Sequence, residues 1–476
     1  MAFALRRAVL NPEIRRVIVV IPYLSIIEQN ARVYRNSLGS DAVLEHHSGA
    51  MGADEDDESY LSPEQRRATE NWDAPVVVTT SVRFFETLFS NHPRELRRLH
   101  NIARSVVILD EVQTLPRQYV QATLSMLKEL AERWGVTFVF STATQPALES
   151  AERGDKDPRW PAGTLTEIVL EPARLFESLR RVETEWRRAP VKWAEAAGEL
   201  ATLDRVLVIV NTRGQALALF RELRRRDVAA IHLSNNLCPA HRLKRLDEIR
   251  GKLGRGEPCR VIATQLVEAG VDLDFPVVWR ALGPLDSIAQ AAGRCDREGL
   301  LTDARGRPGG RLVVFETEDG KMPPGAYKEG AGHARAMAEG GTLRWDDPEV
   351  IRQYFNRLYQ GDLDPKGIQE DRQKQRFKTV AEKVSWIEEN TRGVMVPYDD
   401  EAVRLIQEIQ FAGVSLDRFR RAQKYTVNLW ESEFWRGLGL GSVYEVQPKV
   451  WACPEGFYDE ELGIRLEGAD EKELTV

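Results

Sequence analysis

An apolar run ends on two adjacent carboxylates. In SVVILDEVQTLP (105–116) four apolar residues lead directly into Asp110 and Glu111. Such a run reads as a buried strand, and in an open parallel sheet ligands collect outside the strands' carboxyl ends. There Asp110 can hold a magnesium ion carried by a nucleotide, while Glu111 orients or deprotonates an attacking water. A solvated strand end would account for an isolated Asp-Glu pair equally well, so its company decides.

That company is ordered along the chain. STAT (141–144) closes the next apolar run with Ser141, Thr142 and Thr144, hydroxyls placed to hydrogen-bond the carboxylates and link a nucleotide to a second site. TQLVEAGVDLDF (264–275) crowds Thr264, Gln265, Glu268, Gly270 and Asp272 into a turn that glycine permits. SIAQAAGRCDREG (287–299) reads as a helix carrying Gln290, Gly293, Arg294 and Arg297, with Gln290, Arg294 and Arg297 near one face at i, i+4 and i+7. Arginines so placed reach nucleotide phosphates, a contribution worth roughly 10³–10⁵ in turnover where phosphoryl-transfer enzymes use it. Taken singly, these segments are equally well explained as a Ser/Thr-rich strand end and a solvated helix face.

The elements that must position these residues alternate. RVIVVIP (16–22), APVVVTT (74–80), SVVILDE (105–111) and GVTFVFSTAT (135–144) are separated by helical patterns such as YVQATLSMLKELAERW. Continuous Val- and Ile-rich runs of this length read as parallel strands buried on both faces and joined by helical crossovers. After a charged stretch at 151–164 the pattern resumes with DRVLVIVNT (204–212), VAAIHLS (228–234), PCRVIATQ (258–265) and FPVVWRAL (275–282). From about 331 a charged helical texture, DRQKQRFKTVAEKVSWIEEN, leads to strand-like GSVYEVQPKVWACP. The expected organisation is α/β, with sheet domains over 1–185 and 186–330 and a smaller C-terminal region over 331–476.

The 476 residues carry 66 Lys and Arg against 73 Asp and Glu, a net charge of −7. That argues against a uniformly basic nucleic-acid coat and leaves a local basic groove open. Cys238, Cys259, Cys295 and Cys453 form no C-x-x-C pair, so neither a disulfide scaffold nor a zinc ribbon is suggested. With no signal-peptide core and no apolar run of roughly 18 residues, a cytoplasmic protein without a membrane span is expected. The acidic ADEDDES (53–59) reads as a solvated loop.

The order DEVQ, STAT, TQLVEAGVDLD, QAAGRCDR resembles motifs II, III, V and VI of superfamily 2 helicases, whose two RecA-like domains clasp ATP and grip a single strand. IPYLSIIEQN (21–30), VLEHHSG (43–49), TTSVRFFETLF (79–89) and QLVEAGVDLDF are similar to the helicase part of the CRISPR type I effector helicase-nuclease, the I-C branch in particular; RFRRAQKYTVNL (418–429) resembles its accessory C-terminal domain. The resemblance implies an ATP- and Mg²⁺-dependent 3′-to-5′ translocase on single-stranded DNA, recruited by Cascade, the crRNA-guided surveillance complex. It places Pro22, Ser25, Gln29, Thr80, Ser81, Asn211, Thr212, Thr264 and Gln265 against the DNA backbone, where hydroxyl, amide and backbone donors fix position without reading bases. It assigns Gly270 and Asp272, with Asp110, Arg294 and Arg297, to the nucleotide, and Ser141, Thr142 and Thr144 to coupling.

Two family features are not found. No segment reads G-x-x-x-x-G-K-[ST], the loop whose amides and lysine cradle phosphates. In the family that loop and its strand precede a helix similar to MAFALRRAVL, so the resemblance implies a chain that begins one helix late, with a bared strand edge. None of the seven histidines precedes Asp, as the family's HD nuclease requires; that domain is expected in a longer or separate chain. His46 and His47 read as structural or DNA-adjacent. The alternatives are an ATPase-inactive DNA- or Cascade-binding fragment, and a helicase completed by a separate P-loop and nuclease polypeptide.

Overall fold

The computed structural model describes residues 1–22, 24–47, 63–142, 144–150, 157–268, 270–302, 307–339, 345–386 and 391–466. The acidic 53–59 segment lies outside them. The chain divides into two compact units, Met1–Phe176 with Asp346–Ile387, and Glu177–Trp345 with Glu388–Val476.

The first unit is built on β1 (Arg16–Ile21), β2 (Val43–His46), β3 (Val76–Thr80), β4 (Ser105–Asp110) and β5 (Thr137–Ser141). All pair in parallel, in the order β2-β3-β1-β4-β5. The apolar runs explain the order: β1 and β3 are buried at every residue, as central strands covered on both faces must be. β5 is an edge strand, half-buried along most of its length. A ribbon of β6 (Glu149–Ser150) and β7 (Trp160–Pro161) follows. Trp72 is buried, stacks on Phe84 and donates its indole N–H to His46 Nδ1 at 2.9 Å. Burial, then nearby arginines, holds His46 well below the ordinary imidazole range. His47 is also buried, with Nε2 2.8 Å from Glu45.

Residues 346–387 return to this unit. The Tyr119 hydroxyl donates to the Ser385 carbonyl at 2.8 Å, Trp386 stacks on Phe85 at 4.5 Å, and Arg372 donates to the Ala122 carbonyl at 3.1 Å. The long charged helix expected here is two short ones, Ile368–Gln373 and Phe377–Lys383, broken where Gln375 takes a φ of 57°.

In the second unit β8 (Val182–Val191), β9 (Arg205–Ile209), β10 (Ile231–Leu233), β11 (Cys259–Ala263), β12 (Val277–Ala281) and β13 (Gly310–Thr317) form a parallel sheet ordered β10-β11-β9-β12-β13-β8. β8 was not expected: its exposed, charged positions hide the strand period. An accessory sheet of β14 (Thr391–Met395), β15 (Thr426–Trp430), β16 (Tyr444–Gln447) and β17 (Val450–Ala452) has mixed pairing. Its own core includes Val394, Leu405, Ile409 and Phe434. The fold expectation of two parallel α/β sheets and a smaller accessory domain therefore holds. Among the described residues no helix is long and apolar enough to cross a membrane.

The last ribbon, β18 (Tyr458–Asp459) with β19 (Gly463–Ile464), docks on the loop after β10, where Ile464 N–H donates to the Asn236 carbonyl at 2.9 Å. Gly463 sits at φ +78°, and a Cβ there would run into that carbonyl oxygen. Gly463→Ala is expected to cost about 1–3 kcal/mol and to loosen this ribbon first. Limited proteolysis checks it: cleavage after Cys453 should appear earlier while the first unit's pattern stays unchanged.

Candidate functional site

In both parallel sheets the connections reverse direction beside the central strand that comes first in the sequence, between β1 and β4 and between β9 and β12. Such switch points open a crevice at the strands' carboxyl ends. Most of the sequence-predicted residues lie at or near the carboxyl ends of the strands of these two sheets.

In the first unit Asp110 ends β4 and pairs in register with Ser141 at the end of β5. The Ser141 hydroxyl bonds the Asp110 carboxylate, and burial, with the Glu111 charge added, still raises Asp110 above the ordinary range. Glu111 adopts left-handed backbone, φ 49° and ψ 48°, unusual outside glycine and a mark of turns that aim a side chain. Gln113 Nε2 donates to Glu111 Oε2 at 2.5 Å, and the Gln113 amide oxygen accepts from the Thr142 hydroxyl, which itself accepts from Thr144 N–H at 3.0 Å. Sequence reasoning gives Gln113, the last residue of DEVQ, no role; a polar residue two beyond the paired carboxylates was the available signal. Among the described residues no cluster of three or more His, Cys, Asp or Glu could hold a metal alone. Asp110 fits a hard cation as one oxygen ligand, the remainder coming from phosphate and water.

Register sets β1 beside β3, so Pro22 and Ser81 follow paired residues Ile21 and Thr80 at one sheet edge. Thr80 is buried and its hydroxyl accepts from Arg83 N–H at 3.0 Å, capping the helix Ser81–Phe89. Gln29 is exposed on the helix Leu24–Leu38; the side chain of Ser25 lies outside the described residues.

The second unit's crevice holds a buried polar network. Arg280, fully buried on β12, donates through Nη1 to Asn211 Oδ1 at 2.8 Å and through Nη2 to the Tyr327 hydroxyl at 2.6 Å. Its Nη2 also lies 2.8 Å from Glu268 Oε1. Tyr327 in turn donates to Asn211 Oδ1 at 2.7 Å, and Asn211 Nδ2 donates to the Leu282 carbonyl at 2.8 Å. Both the oxygen and the nitrogen of the Asn211 side chain are thus bonded inside. Thr212 caps the helix Arg213–Arg224 in a capping box with Gln215, while Gln265 Nε2 donates to the Asn211 carbonyl at 2.8 Å. Arg280 and Tyr327 were missed: an arginine within an apolar strand carried the signal for one, and none marked the other. Desolvation pushes the Glu268 carboxyl up to about 7 against the pull of Arg280.

Residues 264–268 and 270–274 come together with 290–298. Gly270 turns with φ +75°, as expected. Arg294 is buried, donating to the carbonyls of Val267 at 3.0 Å and Glu268 at 2.6 Å; Arg297 is exposed, its Nε 3.1 Å from Asp272. The helical i, i+4, i+7 face is corrected: the helix Leu285–Ala292 carries Gln290 but ends before Arg294, and Asp296 turns left-handed at φ 45°.

A cleft of about 1110 Å³ lies within this unit. Asn211, Thr212, Thr264 and Gln265 line one wall, and Thr426, Asn428, Trp430 and Trp451 of the accessory sheet line the other. Along β15 burial alternates, leaving Thr426, Asn428 and Trp430 on the open face, with Trp430 53% exposed. Hydroxyl and amide groups facing aromatic rings suit a single strand, whose phosphates take hydrogen bonds while its bases stack.

A family model described as CRISPR-associated nuclease/helicase Cas3, C-terminal, matches residues 203–300. The chain is 28% identical over 408 residues to a CRISPR-associated nuclease/helicase Cas3 of Haloferax volcanii, covering 64% of this chain and 43% of that protein. It is 26% identical over 351 residues to a CRISPR-associated endonuclease/helicase Cas3 of Thermus thermophilus, covering 60% and 38%. The matches thus span less than half the length of these relatives. In fold it is similar to the crystal structure of T. fusca Cas3-AMPPNP, with a TM-score of 0.64 and 16% identity over 94% of this chain and 65% of that one. A chain of a CRISPR RNA-guided surveillance complex, pre-nicking, has a TM-score of 0.55 and 16% identity over 94% and 61%.

Two outcomes test the buried network. Because Glu268 holds its proton more tightly folded than unfolded, its contribution is full below about pH 4.5 and lost as pH rises through about 7. Unfolding measured across that window should show a decline of up to about 3 kcal/mol that Glu268→Gln flattens. Tyr327→Phe, which removes one hydroxyl bonded to Arg280 and Asn211, should cost about 1–3 kcal/mol in the same measurement.

Proposed function

We propose that this chain, which belongs to the Cas3 helicase family, is the helicase portion of a CRISPR type I interference protein: an ATP-dependent 3′-to-5′ translocase on single-stranded DNA, recruited by Cascade. The observation that carries the reading is the cleft in the second unit. Residues marked from sequence for backbone contact and an exposed tryptophan on the accessory sheet face one space large enough for a polymer.

In this reading Thr212, Thr264 and Gln265 meet phosphates, and Trp430 and Trp451 stack bases without selecting among them. Asn211 does not reach out; held by Arg280 and Tyr327, it fixes the backbone that bears Thr212 and receives Gln265. Arg294 ties the turn after β11 to the segment after the helix Leu285–Ala292, leaving Arg297 at the surface for a phosphate. In the first unit Asp110 would hold Mg²⁺ through the nucleotide, and Glu111, oriented by Gln113, would position the water. Bound nucleotide supplies the phosphoryl group transferred to that water. Through Gln113 and Thr142 a displacement of Glu111 is felt at the end of β5, a local route for coupling.

ATP hydrolysis by the full chain, with and without single-stranded DNA, tests the reading. The reading requires DNA-stimulated turnover even though no segment reads G-x-x-x-x-G-K-[ST], and that turnover should fall at least about a hundredfold with Asp110→Asn and Glu111→Gln. Salt-sensitive DNA binding without any turnover would instead favour a DNA- or Cascade-binding module, or a helicase completed by a separate polypeptide.

A further inference from the structure

We propose that the open face of the accessory sheet carries a slot for a single nucleobase, floored by Gly393, walled by Trp430 and edged by Asn428. The proposal rests on reading the cleft as the path of single-stranded DNA, and it names where along that path a base is held. The slot follows from strand register. β14 and β15 pair antiparallel, which sets Thr391 against Trp430, Gly393 against Asn428 and Met395 against Thr426. All three rungs border the cleft. The residues between them face the other way: Arg392 lies 5.3 Å from the ring centroids of Phe434 and Trp435, and Val427 and Leu429 are in the core. The middle rung therefore bears one side chain, Asn428, where its neighbours bear two. Residues two apart along a strand are separated by roughly 7 Å, so the bare position leaves room for one flat ring laid against the next rung.

Backbone conformation does not demand glycine at 393, which lies outside the positive-φ region. Glycine inside a strand weakens it, and it marks places where another group comes close to the backbone. A Cβ there would meet the Thr426 methyl at 3.0 Å and Asn428 Oδ1 at 3.6 Å, with nothing else within 4 Å. The threonine is held in place, since its hydroxyl donates to the Ala422 carbonyl at 2.8 Å. One methyl thus crowds a single edge of the position, and the rest opens on the cleft. Trp430 stands diagonally beside it, its backbone N–H donating to Glu433 Oε2 at 3.0 Å at the start of the helix Glu431–Gly439. Its indole is half exposed, and among the described residues no other ring or cation packs on it. An indole with a free face and a gap beside it suits a stacked base. Asn428 is exposed and its amide both donates and accepts, as the edge of every base does, so the slot holds a base without choosing its identity.

The test measures binding by the full chain of an oligothymidylate of about 12 nucleotides and of a strand of the same length whose nucleotides are all abasic. Gly393→Val is combined with Thr426→Ser, which keeps a hydroxyl for the Ala422 carbonyl and removes the methyl that a Cβ at 393 would press on, and is compared with Thr426→Ser alone. It is expected to lower affinity for oligothymidylate about tenfold and to leave affinity for the abasic strand unchanged. Trp430→Ala should give the same base-dependent loss, and joining the two changes should add little, since both remove one stacking site. No loss on oligothymidylate overturns the proposal, as does an equal loss on both strands or a pair of losses that add in full. Thr212→Ala with Gln265→Ala separates the underlying reading: if it weakens neither strand the cleft assignment falls, while a base-dependent loss at Gly393 would still mark the slot as a base site.

Discussion

A guanidinium group with no solvent contact governs the second unit. Arg280 sits on β12, a central strand of the sheet, and taking it out of water is tolerated because its two Nη groups find Glu268, Tyr327, Asn211 and the Ala281 carbonyl, although Nε has no hydrogen-bond partner. A lysine could not serve, since a compact ammonium lacks the planar fork that reaches several acceptors at once. What the arrangement secures is direction. Asn211, at the end of β9, is tied to Leu282, at the end of β12, so the crevice between them keeps its width. The backbone of Val267 and Glu268 is held from the other side by Arg294.

The first unit solves a comparable problem with less burial. Its reactive-type groups lie where β4 and β5 end together, and a short relay of Glu111, Gln113 and Thr142 replaces the deep ion pair. Left-handed backbone at Glu111 turns the second carboxylate off the line of the strand, so that adjacent residues face different tasks. In both units the sheet supplies rigid strand ends and the polar side chains lock what emerges from them.

Much of this was legible in the sequence because parallel strands buried on both faces leave uninterrupted Val and Ile runs, as at 16–21 and 205–209. The strand-end residues followed from that reading. β8 escaped because its exposed charges obscure the pattern, and the end of the helix at Ala292 escaped because the spacing of Arg294 and Arg297 fits a helical face. Local spacing does not reveal that an arginine's hydrogen bonds will go to carbonyls of a distant turn. Trp430 was readable in principle: β15 alternates burial residue by residue, and the tryptophan falls on the open phase.

The path of the chain between its units has a consequence for synthesis. Residues 346–386, which carry Trp386 onto Phe85 and Ser385 onto Tyr119, leave the ribosome only after the whole of Glu177–Trp345 has been made. At translation rates of about 5–20 residues per second that delay lasts about 10 to 30 seconds. Throughout it the aromatic surface around Phe85 and Tyr119 waits uncovered, while the sheet of the second unit assembles and waits in turn for β14 to β17. The nascent protein thus carries two half-finished cores at once, each completed by a segment that arrives late.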